Sequence, residues 1–152
     1  MTVRKVLNDS HPLLRKRSKE VQNIDEEIIE LLDDMVETMD DYNGIGLAAP
    51  QVGVLKRVIV VKISEESELI ELINPKIVKE KGQHRDVEGC LSIPGIYGEV
   101  TRATQIVVEG LDRNGKRRKF RASELLARAL QHEIDHLNGV LFIDKVEKYV
   151  EN

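Results

Sequence analysis

Apolar residues recur every three or four positions near the start of the chain, which is the pattern of an amphipathic helix. These positions are Ile28, Leu31, Leu32, Met35, Val36 and Met39. Asp25 precedes them as a candidate N-cap, with acidic Glu26 and Glu27 in the first turn. Gly44 indicates the end of the helix after Asn43. The pattern therefore predicts an N-terminal helix that buries one face.

Short apolar runs separated by turn residues follow in the middle of the chain, and they predict strands. The predicted strands are residues 57–63, 69–73, 76–79, 105–111 and 117–121. Asn74-Pro75 indicates a turn, and Asn114-Gly115 is a hairpin signal. Residues 44–53 are rich in Gly, Ala and Pro and are predicted to form a loop.

A second helix is predicted from Ser123, its candidate N-cap, to Asn138, with Gly139 at its end. Residues 144–152 are predicted to add a last helical turn or two. Strands between two terminal helices indicate an α+β fold. We expect mostly antiparallel strands packed around a central helix. The sequence has no repeat, low-complexity tract or linker, so a single domain is predicted over residues 1–152.

Composition limits the classes of protein that this sequence can encode. The 152 residues are 41% hydrophobic and 33% charged, a globular balance. A net charge of −4 argues against a general affinity for DNA. The first residues lack the apolar core of a signal peptide, and no run approaches the roughly 20 apolar residues of a membrane span. The single cysteine, Cys90, excludes an intrachain disulfide and favours a cytoplasmic location.

The strongest chemical signal is His132-Glu133-Ile134-Asp135-His136, inside the second predicted helix. Side chains four residues apart share one helix face, so His132 and His136 could bind one metal ion. Glu133 would then lie close enough to exchange protons with a water on that metal. The central helix is therefore predicted to be a metal-binding helix. The alternative is an ordinary helix with two histidines on its surface.

A catalytic metal site needs a third ligand besides the two histidines. The only thiol, that of Cys90, is the natural candidate, although a free cysteine is often no more than a small buried residue. Carboxylates that could also serve, and that nothing in the sequence selects, are those of Asp86, Asp112 and Asp144. The remaining histidines, His11 and His84, are predicted to be solvated.

Three blocks occur in a distinctive order along the chain. They are Gly44-Ile45-Gly46-Leu47-Ala48-Ala49-Pro50-Gln51, Glu88-Gly89-Cys90-Leu91-Ser92 and Gln131-His132-Glu133-Ile134-Asp135-His136-Leu137. Together they resemble bacterial peptide deformylase of the short form, in the polypeptide deformylase family. The resemblance extends from Pro12 to Asp144, nearly the whole chain. One departure lies in the segment 122–126, before the histidine helix, where the family often has a glycine and this chain has none.

The resemblance implies a metal-dependent hydrolase that removes the formyl group from N-formylmethionyl peptides during protein biosynthesis, releasing formate. It implies that Cys90, His132 and His136 bind the metal, with water in the fourth position, and that Glu133 transfers the proton. Thiolate and imidazole ligands alone suggest Zn²⁺. The resemblance implies Fe²⁺ instead, for which Zn²⁺, Ni²⁺ or Co²⁺ could substitute.

The resemblance further implies that the Gln51 side-chain amide and the Leu91 backbone N–H stabilise the oxyanion. Gly46 would offer backbone hydrogen bonds to the peptide, and Gly89 lets the backbone approach it closely. An extended substrate could pair with the segment 89–97 as an added strand. An apolar pocket is needed for the methionine side chain, with Ile45 and Ile134 as candidates that could equally belong to the core.

Other interpretations of the same residues stay open at this stage. A zinc endopeptidase would share Glu133 as its base, and a structural or peptide-binding module would close the metal site with a fourth ligand. The basic run Lys116-Arg117-Arg118-Lys119 is most simply a solvated hairpin. A contact between this run and ribosomal RNA is a second possibility, and no DNA or membrane partner is expected.

Overall fold

The computed structural model describes residues 2–151 and has an α+β fold in which every pairing between strands is antiparallel. The helices are α1 (Glu26–Asp41) and α2 (Glu124–Leu137). The strands are β1 (Gly46–Ala48), β2 (Val58–Val61), β3 (Ile70–Lys81), β4 (His84–Cys90), β5 (Ile93–Arg102), β6 (Gln105–Leu111), β7 (Arg117–Ser123) and β8 (Val146–Tyr149). Short 3₁₀ turns lie at Pro12–Arg15, Ala49–Val52 and Phe142–Asp144. The predicted α+β class with antiparallel strands is confirmed.

A five-stranded sheet in the order β1-β2-β3-β6-β7 has one helix on each face. Successive side chains of a strand point to opposite faces. Val58 and Val60 pack with α1, whereas Ile59 and Val61 pack with α2. The uninterrupted apolar run of β2 is therefore explained by burial on both sides.

A separate three-stranded sheet has the order β4-β5-β8. Its apolar support is a small cluster of Leu14, Ile93, Val100, Leu141 and Phe142. Most of β4 is exposed, and the strand ends at Cys90. The tight turn to β5 contains only Leu91 and Ser92, so the position of Cys90 depends directly on that of its strand.

α1 begins as its sequence predicts, since the Asp25 side chain accepts a hydrogen bond from the Ile28 amide at 3.1 Å. α2 begins at Glu124, whose φ of 54° is in the left-handed region. Across residues 2–151, none of the helices has the length and apolar character that crossing a membrane requires.

Three local predictions were wrong. Part of the predicted loop at residues 44–53 forms β1 at the edge of the large sheet. The two strands predicted at 69–73 and 76–79 are one strand, β3. A bulge and the left-handed φ of Asn74 lie where the turn was predicted, and the strand continues through them. The predicted helical tail contains β8, because Tyr149 pairs with Gly98 of β5. Asn152, the last residue of that prediction, lies outside the described residues.

Candidate metal centre

The thiol of Cys90 and the imidazoles of His132 and His136 come together although they belong to different elements. Cys90 ends β4, and the histidines lie one turn apart on α2. One ligand atom from each lies within 4.8 Å of the other two, and the Cys90 Sγ is 3.4 Å from the His136 Nε2. Within residues 2–151, these three residues form a cluster of potential metal ligands.

The donor set fits a divalent transition-metal ion. Thiolate and neutral imidazole are the ligands such ions prefer. Burial lowers the pKa of His136 well below its usual value, which keeps that imidazole neutral. The Nδ1–H of His132 donates to the Glu88 Oε1 at 2.9 Å. Burial opposes a charge on His132, but hydrogen bonds with Cys90 and Glu88 raise its pKa to about 10, so a metal at its Nε2 would displace a proton. The ring of Phe142 lies 6.0 Å from that of His132 and stacks against it.

Glu133 lies beside the histidines with one oxygen unpartnered. Its Oε1 is buried and has no hydrogen-bond partner among the described residues. Burial raises the pKa of Glu133 to about 7, against the opposing positive charges of His132 and Arg102. Gly46 makes room for this carboxylate, because a Cβ at that position would be 2.5 Å from the Glu133 Oε2.

A buried charge network surrounds the back of His132. Burial alone would raise the pKa of Glu88, but hydrogen bonds from His132 and Arg102 lower it to about 2. Arg102 also donates to the Asp135 carboxylate at 2.8 Å. Sequence reasoning missed Glu88. Two features could have indicated Glu88. It lies in the same block as Cys90, and a metal-binding histidine needs an acceptor for the N–H of its second ring nitrogen.

Gln51 is held against the thiol by its own hydrogen bonds. The Ala48 amide donates to its Oε1 at 2.9 Å. Its Nε2 donates to the Ser92 Oγ at 3.1 Å and points to the Cys90 Sγ at 3.6 Å. Leu91 follows Cys90 in the turn to β5. A side-chain amide is thus fixed next to the candidate metal ligands.

A groove of about 670 Å³ opens over these groups. Gly46 and Gly89 lie on its walls, on β1 and β4. Large apolar side chains are exposed around it, namely Tyr42, Ile45, Val87, Tyr97 and Leu125. Of the two candidates for a methionine pocket, Ile45 lines the groove, whereas Ile134 is buried in the core under the large sheet. Ile134 is therefore a core residue, which is the other interpretation that the sequence left open.

The other candidate ligands lie elsewhere. Asp144 pairs with Arg15, and Asp112 accepts amide hydrogen bonds from the β6–β7 turn. The Asp86 carboxylate accepts from the Val87 amide and is exposed. Both remaining histidines, His11 and His84, are exposed, as the sequence predicts.

A histidine pair, a buried glutamate and a thiol at the base of an open groove are typical of a metal-dependent hydrolase. The chain belongs to the polypeptide deformylase family, whose sequence model matches residues 3–152. The peptide deformylase of Alkaliphilus metalliredigens is 57% identical over 148 residues, 97% of this chain and 99% of that protein. That of Acetivibrio thermocellus is 56% identical over 151 residues, 99% of this chain and 88% of that protein.

Solved structures agree with the sequence relatives. The crystal structure of peptide deformylase from Thermotoga maritima has a TM-score of 0.93 at 37% identity, covering 97% of this chain and 99% of that chain. The Legionella pneumophila peptide deformylase has a TM-score of 0.92 at 46% identity, covering 95% and 86%. The protein is a metal-dependent hydrolase that removes the N-terminal formyl group from newly made peptides. The endopeptidase and structural-module interpretations are set aside.

Proposed function

We propose that Cys90, His132 and His136 hold one divalent metal ion and that Glu133 transfers the proton during formamide hydrolysis. The observation that carries this proposal is the cluster of three ligand atoms within 4.8 Å, beside the unpartnered Glu133 Oε1. In this proposal α2 is the central metal-binding helix, and α1 is the N-terminal amphipathic helix. Residues 1–152 then act as one metallohydrolase domain.

The residues around the groove have different roles in the proposed reaction. A divalent ion held by these ligands would lower the pKa of a water molecule to near 7 and so supply a nucleophile at neutral pH. Glu133 takes a proton from the attacking water and delivers it to the leaving nitrogen, as the carbon–nitrogen bond of the formamide breaks. The Gln51 Nε2 and the Leu91 backbone N–H donate to the oxygen that becomes negative. Formate and a free amine are the products.

The peptide lies between two strand edges in this proposal. β1 is an edge strand of the large sheet and β4 an edge strand of the small one, and both border the groove. Gly46 and Gly89 lie on those edges, where an extended substrate backbone can form strand-like hydrogen bonds with the chain. Ile45 and the apolar rim receive the methionine side chain. A formyl group carries only hydrogen beyond its carbonyl, and a rigid site excludes the extra methyl of an acetyl group.

We propose Fe²⁺ as the native metal, with Zn²⁺, Ni²⁺ or Co²⁺ as substitutes. The single thiolate is a soft, electron-donating ligand that all of these ions accept. The resemblance to bacterial deformylases, rather than the donor set, favours iron. Metal analysis of protein purified without oxygen distinguishes the ions, because iron bound beside a thiolate is expected to be lost on oxidation.

The proposed setting is the cytoplasm, near the ribosome, where formylated chains are made. The exposed side chains of Lys116, Arg117 and Lys119 on the β6–β7 hairpin offer a positive surface for ribosomal RNA. Reversing these charges is expected to weaken co-sedimentation with ribosomes and to leave turnover of a free formyl peptide unchanged. Equal co-sedimentation of the parent and the reversed variant would remove the ribosomal part of the proposal.

The test of the proposed site combines metal analysis with an assay on a formylmethionyl peptide. Glu133→Ala should keep its metal and lose about 10²–10⁴-fold in turnover, the usual contribution of a positioned acid–base group. Cys90→Ser should bind the metal more weakly. His11→Ala, which changes an exposed histidine, is the control and should behave like the parent. Near-full turnover by Glu133→Ala, or unchanged metal binding by Cys90→Ser, contradicts the assignment.

A further inference from the structure

α2 and the small sheet meet mainly through polar side chains. The apolar face of α2 packs on the large sheet, in a cluster that includes Ala127, Leu130 and Ile134. The small sheet has a separate apolar cluster formed with Leu14, Leu141 and Phe142. The candidate ligands are divided between these two bodies, since Cys90 is on β4 and the histidine pair is on α2. The distance between the Cys90 thiol and the histidine pair therefore depends on the contacts that join α2 to β4.

Arg128 provides much of this connection. It is buried on α2, one helical turn before His132. Its Nη1 donates to the Glu88 Oε2 at 2.6 Å and to the Val100 carbonyl at 2.9 Å, and its Nη2 donates to the His84 carbonyl at 2.6 Å. One guanidinium thus contacts the first residue of β4, the Glu88 side chain two residues before the end of β4, and Val100 two residues before the end of β5. The planar, forked donors of arginine suit such a set of acceptors.

The neighbouring guanidinium of Arg102 has a different role. Arg102 lies on β5, so its two hydrogen bonds to Glu88 of β4 stay within the small sheet. Only its bond to Asp135 reaches α2. Arg128, by contrast, makes all three of its bonds from α2 to the β4–β5 hairpin. Loss of Arg128 therefore removes three of the bonds between the hairpin and the helix. The bonds from His132 to Glu88 and from Arg102 to Asp135 remain.

We propose that Arg128 is a positioning residue that sets the distance between the Cys90 thiol and the histidine pair. Glu88 lies two residues before Cys90 and also accepts from the ligand His132, so Arg128 acts on the two halves of the site together. The proposal rests on the proposed metal site. It adds that the affinity and geometry of that site depend on a residue whose side chain bonds Glu88 and two backbone carbonyls rather than the metal ligands.

The test measures metal binding rather than turnover, because Arg128 also lines the groove and its loss could alter the fit of a substrate. Arg128→Met keeps an unbranched apolar stem and removes the charge and the donors. Arg128→Lys keeps the charge and removes the fork. The matched control is Arg85→Met, which removes a half-exposed arginine of β4 that pairs with Glu99 and Glu147.

Dissociation constants for Co²⁺ and Zn²⁺ are measured by competition with a chromophoric chelator. The thiolate-to-cobalt absorption band reports the contact of Cys90 with the metal. Arg128→Met should bind both ions about 10–100-fold more weakly, as is usual when a residue that supports a ligand is removed, and the cobalt band should shift or weaken. Arg128→Lys should be intermediate, and Arg85→Met should match the parent.

A purely structural role for Arg128 would lower the melting temperature without changing the metal affinity or the cobalt band. That result overturns the inference, whereas a parent protein that binds no metal overturns the proposed site itself. If Arg128→Met does not fold, Arg128→Lys decides the question by the same measurement. Combining Arg128→Lys with Glu88→Gln should give less than the sum of the two separate losses, because Arg128 acts partly through Glu88.

Discussion

Glu124 has a left-handed backbone conformation that glycine would adopt more easily. It has a φ of 54°, in the left-handed region where the Cβ crowds the backbone. Its amide donates to the Thr104 carbonyl at 3.1 Å, which helps to hold it there. The one departure from the resemblance, the lack of a glycine, lies in the segment 122–126. The structure gives this departure a physical consequence, because a glycine tolerates positive φ.

Glu124→Gly should therefore stabilise the protein by about 0.5–1 kcal/mol, with a rise in melting temperature of roughly 1–4 °C for a chain of this size. Thermal unfolding followed by circular dichroism measures the change. Glu30→Gly is the matched control on exposed, ordinary helix in α1, where the same exchange should destabilise by about 1 kcal/mol. Two shifts of the same sign would contradict the interpretation of Glu124.

Gly46 is required for a different reason, the close approach of a neighbouring side chain. Gly46→Ala should displace the Glu133 carboxylate, because the new Cβ would be 2.5 Å from its Oε2. We expect the substitution to destabilise the protein by about 1–3 kcal/mol and to reduce turnover strongly. In a Glu133→Ala background the same substitution should have almost no effect on the melting temperature. Equal destabilisation in both backgrounds would exclude the contact as the cause.

A helix or strand could be predicted from the sequence when the residues that define it lie within one segment. α1 could be predicted because its apolar stripe and the Asp25 cap lie within one segment. β4 and β5 could not, since residues such as His84 and Asp86 are exposed and their strand is defined only by pairing with Arg102 and Val100. β8 likewise depends on β5, which is distant along the chain.

α1 also anchors the start of the chain through Asp34. The Asp34 carboxylate accepts from the Thr2 amide at 2.8 Å and from the Arg4 Nε at 2.9 Å. The Arg4 amide donates to the Thr38 Oγ1 at 2.8 Å. Burial acts to raise the pKa of Asp34, but the hydrogen bonds from Thr2 and Arg4 outweigh it and lower the pKa overall. This contact is a pH-sensitive part of the stability of the fold.

Asp34→Asn should destabilise the protein by about 1.5–3 kcal/mol at neutral pH, because the partly exposed Arg4 loses the charged acceptor that the buried Asp34 provides. The pKa is lower in the folded protein than in the unfolded chain, where it is about 3.9. The contribution of the carboxylate is therefore present above that value and is lost as the pH falls through the folded pKa. Urea unfolding across this range should show the difference from the parent shrinking in acid. Glu30→Gln, an exposed charge change on α1, is the control.

For the molecule as a whole, the candidate site is predictable only where its members are close in sequence. His132, Glu133 and His136 share one helix, so their spacing alone predicts a metal-binding face. Cys90 joins them through the packing of the small sheet against α2, which no local pattern encodes. It was a candidate because it is the only thiol in the sequence, and the resemblance supported it. Arg128 gave no signal, since a charged residue on a helix is normally solvated. The connection between the two bodies became visible only in the assembled fold.

The candidate ligands are divided between the small sheet and α2. We therefore expect a metal ion to stabilise the whole molecule, because it would tie the small sheet to α2 through Cys90 and the histidines. An ion that binds only the folded state at 100 times its dissociation constant adds about 2.7 kcal/mol, or roughly 5–11 °C in melting temperature for a chain of this size. Calorimetry of metal-free protein with added Zn²⁺ measures the rise. His136→Ala should show little of it, and His11→Ala should show all of it. If Zn²⁺ raised the melting temperature of His136→Ala as much as that of the parent, the ion would be stabilising the protein from another site. The small sheet and α2 would then be held together by their side chains alone.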